Sequence, residues 1–90
     1  MISKMLIFSI QTNMKVEVRL FGIFNEHADT SKLYFEDIPD TNSLIKRIFI
    51  NYPSLEKASF SLSVNQHIIG ANTLLADGDE VALMPAFSGG

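Results

Sequence analysis

The stretch "PDTNSLIKRIFINYP", residues 39–53, decides the fold, because it carries the clearest helix pattern in a chain whose other patterns favour strands. Asp40 or Thr41 stands where a side-chain oxygen can cap the free N–H groups of a first helical turn. Apolar residues then recur at three- and four-residue intervals, which places them on one face: Leu44, Ile45, Ile48, Phe49 and Tyr52. Pro53 lacks an N–H and disfavours helical geometry in the residue before it, so we expect the helix to end near Tyr52.

Upstream of this helix the sequence predicts two strands. In "KVEVRLF", residues 15–21, apolar Val16, Val18 and Leu20 alternate with charged residues, a period of two that is typical of a strand with one buried face. "GIFNEHADTSK", residues 22–32, is rich in turn-forming side chains and is interpreted as the loop of a wide hairpin. "LYFEDI", residues 33–38, supplies the second strand of that hairpin.

Downstream of the helix the pattern returns to strands. "FSLSVN" and "QHII", residues 60–69, predict a strand, a tight turn near Asn65 and Gln66, and a short returning strand. "ADGDE", residues 76–80, has Asp-Gly turn chemistry. "VALMP", residues 81–85, is apolar on both faces, as expected of a strand buried between two layers. Pro85 has no N–H to donate to a ladder, so it marks the end of this strand.

The order of elements is therefore hairpin, helix, hairpin and final strand, which indicates the α+β class. The simplest packing places one main helix across one face of a mixed, four- to five-stranded sheet, with the last strand lying centrally beside the first. That is a β-grasp, or ubiquitin-like, architecture. We assign residues 14–84 to the β-grasp domain and residues 85–90 to an extended C-terminal functional tail. Residues 1–13 are assigned to an N-terminal extension, because "MKVEVRLFG" from Met14 onward resembles the beginning of the domain. We expect this extension either to attach loosely or to pair as an extra edge strand through Leu6, Phe8 and Ile10.

Composition limits the function classes. The 90 residues contain no cysteine, which excludes disulfides, thiolate metal sites and a cysteine nucleophile and fits a cytoplasmic location. The net charge is −3 and the seven Lys and Arg residues are scattered, so the basic stripe of a nucleic-acid binder is missing. The opening "MISKMLIFSIQTN" lacks a signal-peptide cleavage site, and no apolar run approaches a membrane span. We expect no nucleic-acid partner and no membrane association.

The sequence offers no self-contained active site. His27 and His67 stand on different elements, and no catalytic or phosphate-binding motif accompanies them. Asp77, Asp79 and Glu80 are explained by turn chemistry rather than by a cation. We therefore expect no metal and no bound cofactor. The aromatic residues at strand and helix spacings are predicted to be core residues, and Phe87, beyond the last strand, is the exception.

The tail "PAFSGG", residues 85–90, is where chemistry can be reasoned directly. The carboxylate of a terminal Gly90 is ionised at neutral pH and resists nucleophiles until it is activated, for instance by adenylation. An acyl-adenylate can then become a thiocarboxylate or an amide. Two glycines fit a narrow channel, and six extended residues reach about 20 Å. We predict that Gly90 is the reactive residue, that Phe87 anchors the tail, and that the other inserting residues are Pro85, Ser88 and Gly89.

Three stretches carry a family resemblance: "MKVEVRLFG" (14–22), "LSVNQ" (62–66) and, above all, "DGDEVALMPAFSGG" (77–90). Over Met14 to Gly90 the chain resembles the ubiquitin-like sulfur carriers of the MoaD/ThiS superfamily, most closely the small subunits of molybdopterin synthases. The resemblance implies that an E1-like adenylating enzyme uses ATP to activate Gly90 and that a sulfurtransferase leaves a thiocarboxylate there. The tail would then enter the large subunit of the synthase, expected as a heterotetramer, and deliver sulfur to cyclic pyranopterin monophosphate for the molybdenum cofactor.

Other functions remain open at this point. A sulfur carrier for thiamine thiazole synthesis shares the fold and the terminal glycines. A ubiquitin-like protein modifier would instead join Gly90 to lysines of target proteins. In a plain interaction domain the glycines would be only the end of the chain.

Overall fold

The computed structural model of the chain describes residues 14–86. The expectations for residues 1–13, including the edge strand through Leu6, Phe8 and Ile10, lie outside the described residues. The same holds for the roles expected of Phe87, Ser88, Gly89 and Gly90.

Five strands form one mixed sheet crossed by one main helix. In chain order the elements are β1 (Lys15–Leu20), α1 (Ile23–Ala28), β2 (Lys32–Glu36), α2 (Thr41–Asn51), a 3₁₀ helix (Pro53–Lys57), β3 (Phe60–Val64), β4 (His67–Ile69) and β5 (Glu80–Pro85). The strand order is β2-β1-β5-β3-β4. The β1–β5 pair is parallel and the other pairs are antiparallel. The first and last strands are thus central neighbours, which confirms the predicted β-grasp architecture.

The main helix, α2, begins and ends as its sequence predicts. The Asp40 side chain accepts a hydrogen bond from the backbone N–H of Ser43 at 2.9 Å, which caps the first turn. Leu44 and Ile48 on its inner face are completely buried. The helix ends at Asn51, and Pro53 opens the 3₁₀ helix that follows. One face of α2 therefore covers one face of the sheet.

The opposite face of the sheet, which we call the open face, is uncovered among the described residues. In β5, buried Val81 and Leu83 point to the core while Ala82 and Met84, which point the other way, are only partly buried. The expectation that this strand is buried between two layers is therefore wrong. Its apolar residues on the second face are instead available at a surface.

The segment between β1 and β2 also differs from its prediction. The expected loop of a wide hairpin contains α1, a short helix whose Phe24 is completely buried against the core. The prediction that the aromatic residues are core residues holds for Phe24 and Phe35 but fails for Phe21 and Tyr34, which are 47% and 59% exposed. It also fails for Phe60, which is 36% exposed and packs edge-on against Phe49, with ring centroids 5.8 Å apart.

Both predicted tight turns are confirmed. Asn65 and Gln66, between β3 and β4, have φ values of 49° and 70°, and Gly78, before β5, has a φ of 86°. The Asn65 side chain also holds the start of β5, since its Oδ1 accepts a hydrogen bond from the Glu80 N–H at 3.0 Å. The turns thus fix where the central strand begins.

Candidate functional site

The candidate site starts where β5 leaves the sheet. On one side the backbone N–H of Phe21 donates to the Leu83 carbonyl at 3.0 Å, and on the other the N–H of Ala86 donates to the Ser59 carbonyl at 3.2 Å. Pro85 lies opposite Phe60 and is the last residue of β5, as its missing N–H predicts. The chain is therefore held on the β1 side up to Leu83 and on the β3 side up to Ala86, the residue that precedes Phe87–Gly90.

A close approach between Gly22 and Pro85 shapes this exit. Gly22, at the start of α1, has φ 59° and ψ −130°, a conformation that side-chain-bearing L-residues rarely adopt. A Cβ placed on Gly22 would lie 2.9 Å from Pro85 Cγ and 3.4 Å from Pro85 Cδ. Two independent constraints thus require glycine here. The sequence marked Gly22 only as a loop residue, because no local pattern reveals a contact with a residue 63 positions later.

An apolar surface adjoins the exit on the open face. Its members are Phe21, Ile68, Ala82 and Met84, and we call them the open-face patch. Ser63 pairs with Ile68 on one side and with Ala82 on the other, so these two side chains share a face across three adjacent strands. Ile68 is 58% exposed, and Met84 immediately precedes Pro85. The patch is therefore continuous with the start of the tail.

Sequence reasoning missed this patch. The available signal was "VALMP", whose second apolar face was interpreted as buried. An uncovered strand face of the same composition looks identical in sequence, because alternation shows which residues share a face and not what covers that face.

A charged group borders the open-face patch on β1 and β5. Arg19 Nε lies 2.7 Å from one carboxylate oxygen of Glu17 and 2.9 Å from one of Glu80. The hydrogen bond from Arg19 is the main cause that lowers the pKa of Glu17, and Lys32 adds a smaller attraction. The same hydrogen bond, with the charge of Glu80, raises the pKa of Arg19. The lowered pKa of Glu17 and the raised pKa of Arg19 both favour the charged forms, and these side chains give the apolar patch a polar rim.

The remaining sequence candidates serve the fold. Asp77 accepts a hydrogen bond from the Lys15 N–H and Asp79 one from the Ala76 N–H, both at 2.8 Å, which supports the turn interpretation. His67 Nδ1 lies 3.1 Å from the Asn65 carbonyl. No cluster of three acidic or histidine side chains suited to a metal occurs within residues 14–86. None of the helices in this range is long and apolar enough to cross a membrane.

A mixed sheet with its first and last strands side by side, crossed by one main helix, defines the ubiquitin-like β-grasp class, and its candidate site is the end of the last strand. The chain matches the ThiS family over residues 18–90 and belongs to that family.

Individual relatives add detail. The molybdopterin synthase sulfur carrier subunit of Mycobacterium tuberculosis is 33% identical over 82 residues, covering 86% of this chain and 99% of the relative. Small archaeal modifier protein 1 from Methanosarcina acetivorans is 25% identical with a TM-score of 0.72, covering 89% of this chain and 100% of its own. The solved complex of subunits 1 and 2 of the molybdopterin-converting factor from Helicobacter pylori contains a chain that is 29% identical, with a TM-score of 0.63. That match covers 86% of this chain and 100% of its own.

Proposed function

We propose that this chain is the sulfur carrier subunit of a molybdopterin synthase. The observation that carries the proposal is the end of β5, which is fixed up to Ala86 beside an exposed apolar patch and leads directly into the residues Phe87–Gly90. The Mycobacterium tuberculosis relative, which aligns over nearly its whole length, supports the same function.

The proposed chemistry takes place on Gly90. An E1-like enzyme transfers AMP from ATP to the Gly90 carboxylate and releases pyrophosphate. A persulfide carried by a sulfurtransferase then attacks the acyl-adenylate and displaces AMP, and a thiol reduces the resulting acyl disulfide to the thiocarboxylate. In the synthase the thiocarboxylate sulfur forms a bond to cyclic pyranopterin monophosphate, and water hydrolyses the resulting thioester, which leaves the sulfur on the pterin and regenerates the Gly90 carboxylate. The chain thus acts as a tethered cosubstrate, and its partners provide the ATP chemistry and the catalytic side chains.

The described surface suits such a partner. Exposed apolar side chains that share one face and are bordered by charged residues are typical of protein interfaces. In the proposal the open-face patch seats on the large subunit, with Phe87 in a pocket and the slim Gly89 and Gly90 in the catalytic channel. The Helicobacter pylori complex, in which two subunits of a molybdopterin-converting factor are associated, supports a partner of this kind.

A second candidate is a protein modifier, favoured by the likeness to small archaeal modifier protein 1. In that case the activated Gly90 would be attacked by a lysine amine and form an isopeptide bond. A sulfur carrier for thiamine thiazole synthesis is the third, favoured by the family match. All three need activation of Gly90 and differ in what accepts the acyl group or the sulfur.

One experiment separates them. The chain is co-expressed with the adenylating enzyme of its host and its intact mass is measured, with a variant lacking Gly90 as the control. We expect a mass gain equal to replacing one oxygen by sulfur in the full chain only. Adducts with other proteins would favour the modifier, and an unchanged mass under sulfur-replete conditions would reject a carrier.

The purified thiocarboxylate form is then mixed with a molybdopterin synthase large subunit and the pterin precursor. A dithiolene product supports the proposal. A loaded carrier that yields no dithiolene would favour the thiamine pathway instead.

A further inference from the structure

We propose that Gly22 is a positioning residue for the sulfur-carrying tail, an inference that rests on the proposed function. Gly22 belongs to the turn between β1 and α1, yet the atoms it approaches belong to Pro85, the last residue of β5 and the first of the tail. Because Gly22 has no side chain, Pro85 can lie close to it, and this close approach fixes where the chain leaves the domain.

The contact is stiff on the Pro85 side. A Cβ at residue 22 would meet Pro85 Cγ at 2.9 Å, closer than real Cβ contacts, so one partner must shift. Cγ belongs to a ring that is closed onto the backbone nitrogen, so it can move only by a change of ring pucker. The N–H of the next residue, Ala86, donates a hydrogen bond to the Ser59 carbonyl. Any movement larger than a change of pucker is therefore a movement of the strand end.

The turn that contains Gly22 is also held in place. The N–H of Phe21 donates a hydrogen bond to the Leu83 carbonyl at 3.0 Å, and the Gly22 carbonyl accepts one from the Glu26 N–H at 3.1 Å. Phe24, two residues on, is completely buried. Since the turn is tied to both the sheet and the core, a side chain at residue 22 pushes Pro85 outward.

A displaced Pro85 matters because the reactive atom is five residues further along, from 85 to 90. In the proposed function the domain docks on each partner by its surface while the tail enters that partner's channel, so the direction of the tail relative to the domain decides where Gly90 arrives. A misplacement of about 1 Å can cost a catalytic step about 100-fold. Docking itself depends on the patch, which the Gly22 contact does not include.

The chain contains matched controls. Gly78 also has a positive φ, +86°, so alanine there suffers backbone strain as well, but no described atom lies within 4 Å of a Cβ at that position. A Cβ at Gly70 likewise meets no described atom within 4 Å, and its φ is not in the strained range. The three glycines therefore separate backbone strain from contact with Pro85.

The test uses the full-length chain as substrate of its adenylating and sulfur-transferring enzymes, with thiocarboxylate formation followed by intact mass. We expect Gly22→Ala to lower kcat about tenfold or more while KM stays unchanged. Gly78→Ala and Gly70→Ala should keep both parameters, at a temperature where every variant is folded. Pro85→Ala removes Cγ and Cδ. The double variant Gly22→Ala/Pro85→Ala should therefore differ in kcat from Pro85→Ala alone by no more than Gly78→Ala differs from the wild type.

Several results would overturn the inference. If Gly22→Ala and Gly78→Ala have the same kcat while the wild type loads sulfur, Gly22 has no positioning role and the proposed function stands. A Gly22 effect that persists undiminished without the Pro85 ring would also reject it. If Gly22→Ala does not fold, thermal melting of the Gly22→Ala/Pro85→Ala double variant tests the contact instead. A double variant that folds supports the contact, and one that stays unfolded rejects it. A wild type that never loads sulfur rejects the proposed function and this inference together.

Discussion

Glu17 and Glu80 lie opposite each other on the parallel strands β1 and β5, and one Arg19 nitrogen holds both carboxylates, at 2.7 Å and 2.9 Å. Two like charges at paired positions would repel, so the arrangement depends on the arginine. This charged group also joins β1 to β5 through side chains, in addition to the backbone hydrogen bonds between the two strands.

We predict that Arg19→Gln lowers stability in a pH-dependent way. The folded-state pKa of Glu17 lies below its ordinary value of 4.5, so its stabilisation is present above that value and is lost as the pH falls through the lowered pKa. The variant should have a lower urea midpoint than the wild type at pH 7, and the two midpoints should converge as Glu17 is protonated. An equal difference at pH 3 and pH 7 would mean that the loss comes from packing of the arginine stem.

Two isoleucines of α2 allow a matched test of the core. Ile48 is completely buried, whereas Ile50, two residues later in the same helix, is 72% exposed. We expect Ile48→Ala to lower the free energy of unfolding by about 2 to 5 kcal/mol. Ile50→Ala should change it by no more than about 0.5 kcal/mol. Denaturant titration of both variants measures the difference, and similar losses would contradict the packing of α2 on the sheet.

The helix and the strand order could be predicted from sequence because their signals are local. The cap at Asp40, the apolar spacing from Leu44 to Ile48 and the alternation in β1 each lie within one element. A short chain with these elements in this order then has few ways to bury its apolar faces. The central position of β5 followed from that topology.

The surfaces around the tail could not be predicted in the same way. Whether Met84 is covered depends on a layer elsewhere in the fold, and the contact of Gly22 with Pro85 depends on residues distant in sequence. The helix α1 was missed because six residues that contain one buried aromatic, Phe24, give too little periodicity to outweigh the turn-forming residues around them. Its existence depends on the tertiary burial of that ring.

The open-face patch leads to a binding prediction. Ile68→Ala should raise the Kd for the large subunit about fivefold or more, which corresponds to about 1 kcal/mol, because it removes an exposed side chain from the proposed interface. Leu74→Ala is the control, since Leu74 is 80% exposed and lies outside the patch, where it bridges to Asp40. Titration calorimetry with each variant measures the two values. Equal effects would remove the patch from the interface.

Phe87 is predicted to be the anchor of the tail. Phe87→Ala should weaken binding to the large subunit by about 1 to 3 kcal/mol, as expected of a buried interface aromatic. The same calorimetric titration measures the loss, with Phe87→Leu as a variant that keeps an apolar side chain and should bind more tightly than Phe87→Ala. Binding that is unchanged by Phe87→Ala would exclude this residue from the proposed site.

Deleting Gly90 should separate stability from function. A single glycine without a side chain contributes no apolar burial, so thermal unfolding of the shortened chain should match that of the full chain. Sulfur loading should be abolished, because the adenylating enzyme would meet a carboxylate one residue short of its channel. Calorimetric melting and intact mass after incubation with the loading enzymes measure both outcomes on the same sample. A lowered melting temperature would place the tail within the fold, and sulfur loading that survives the deletion would show that Gly90 is not the reactive residue.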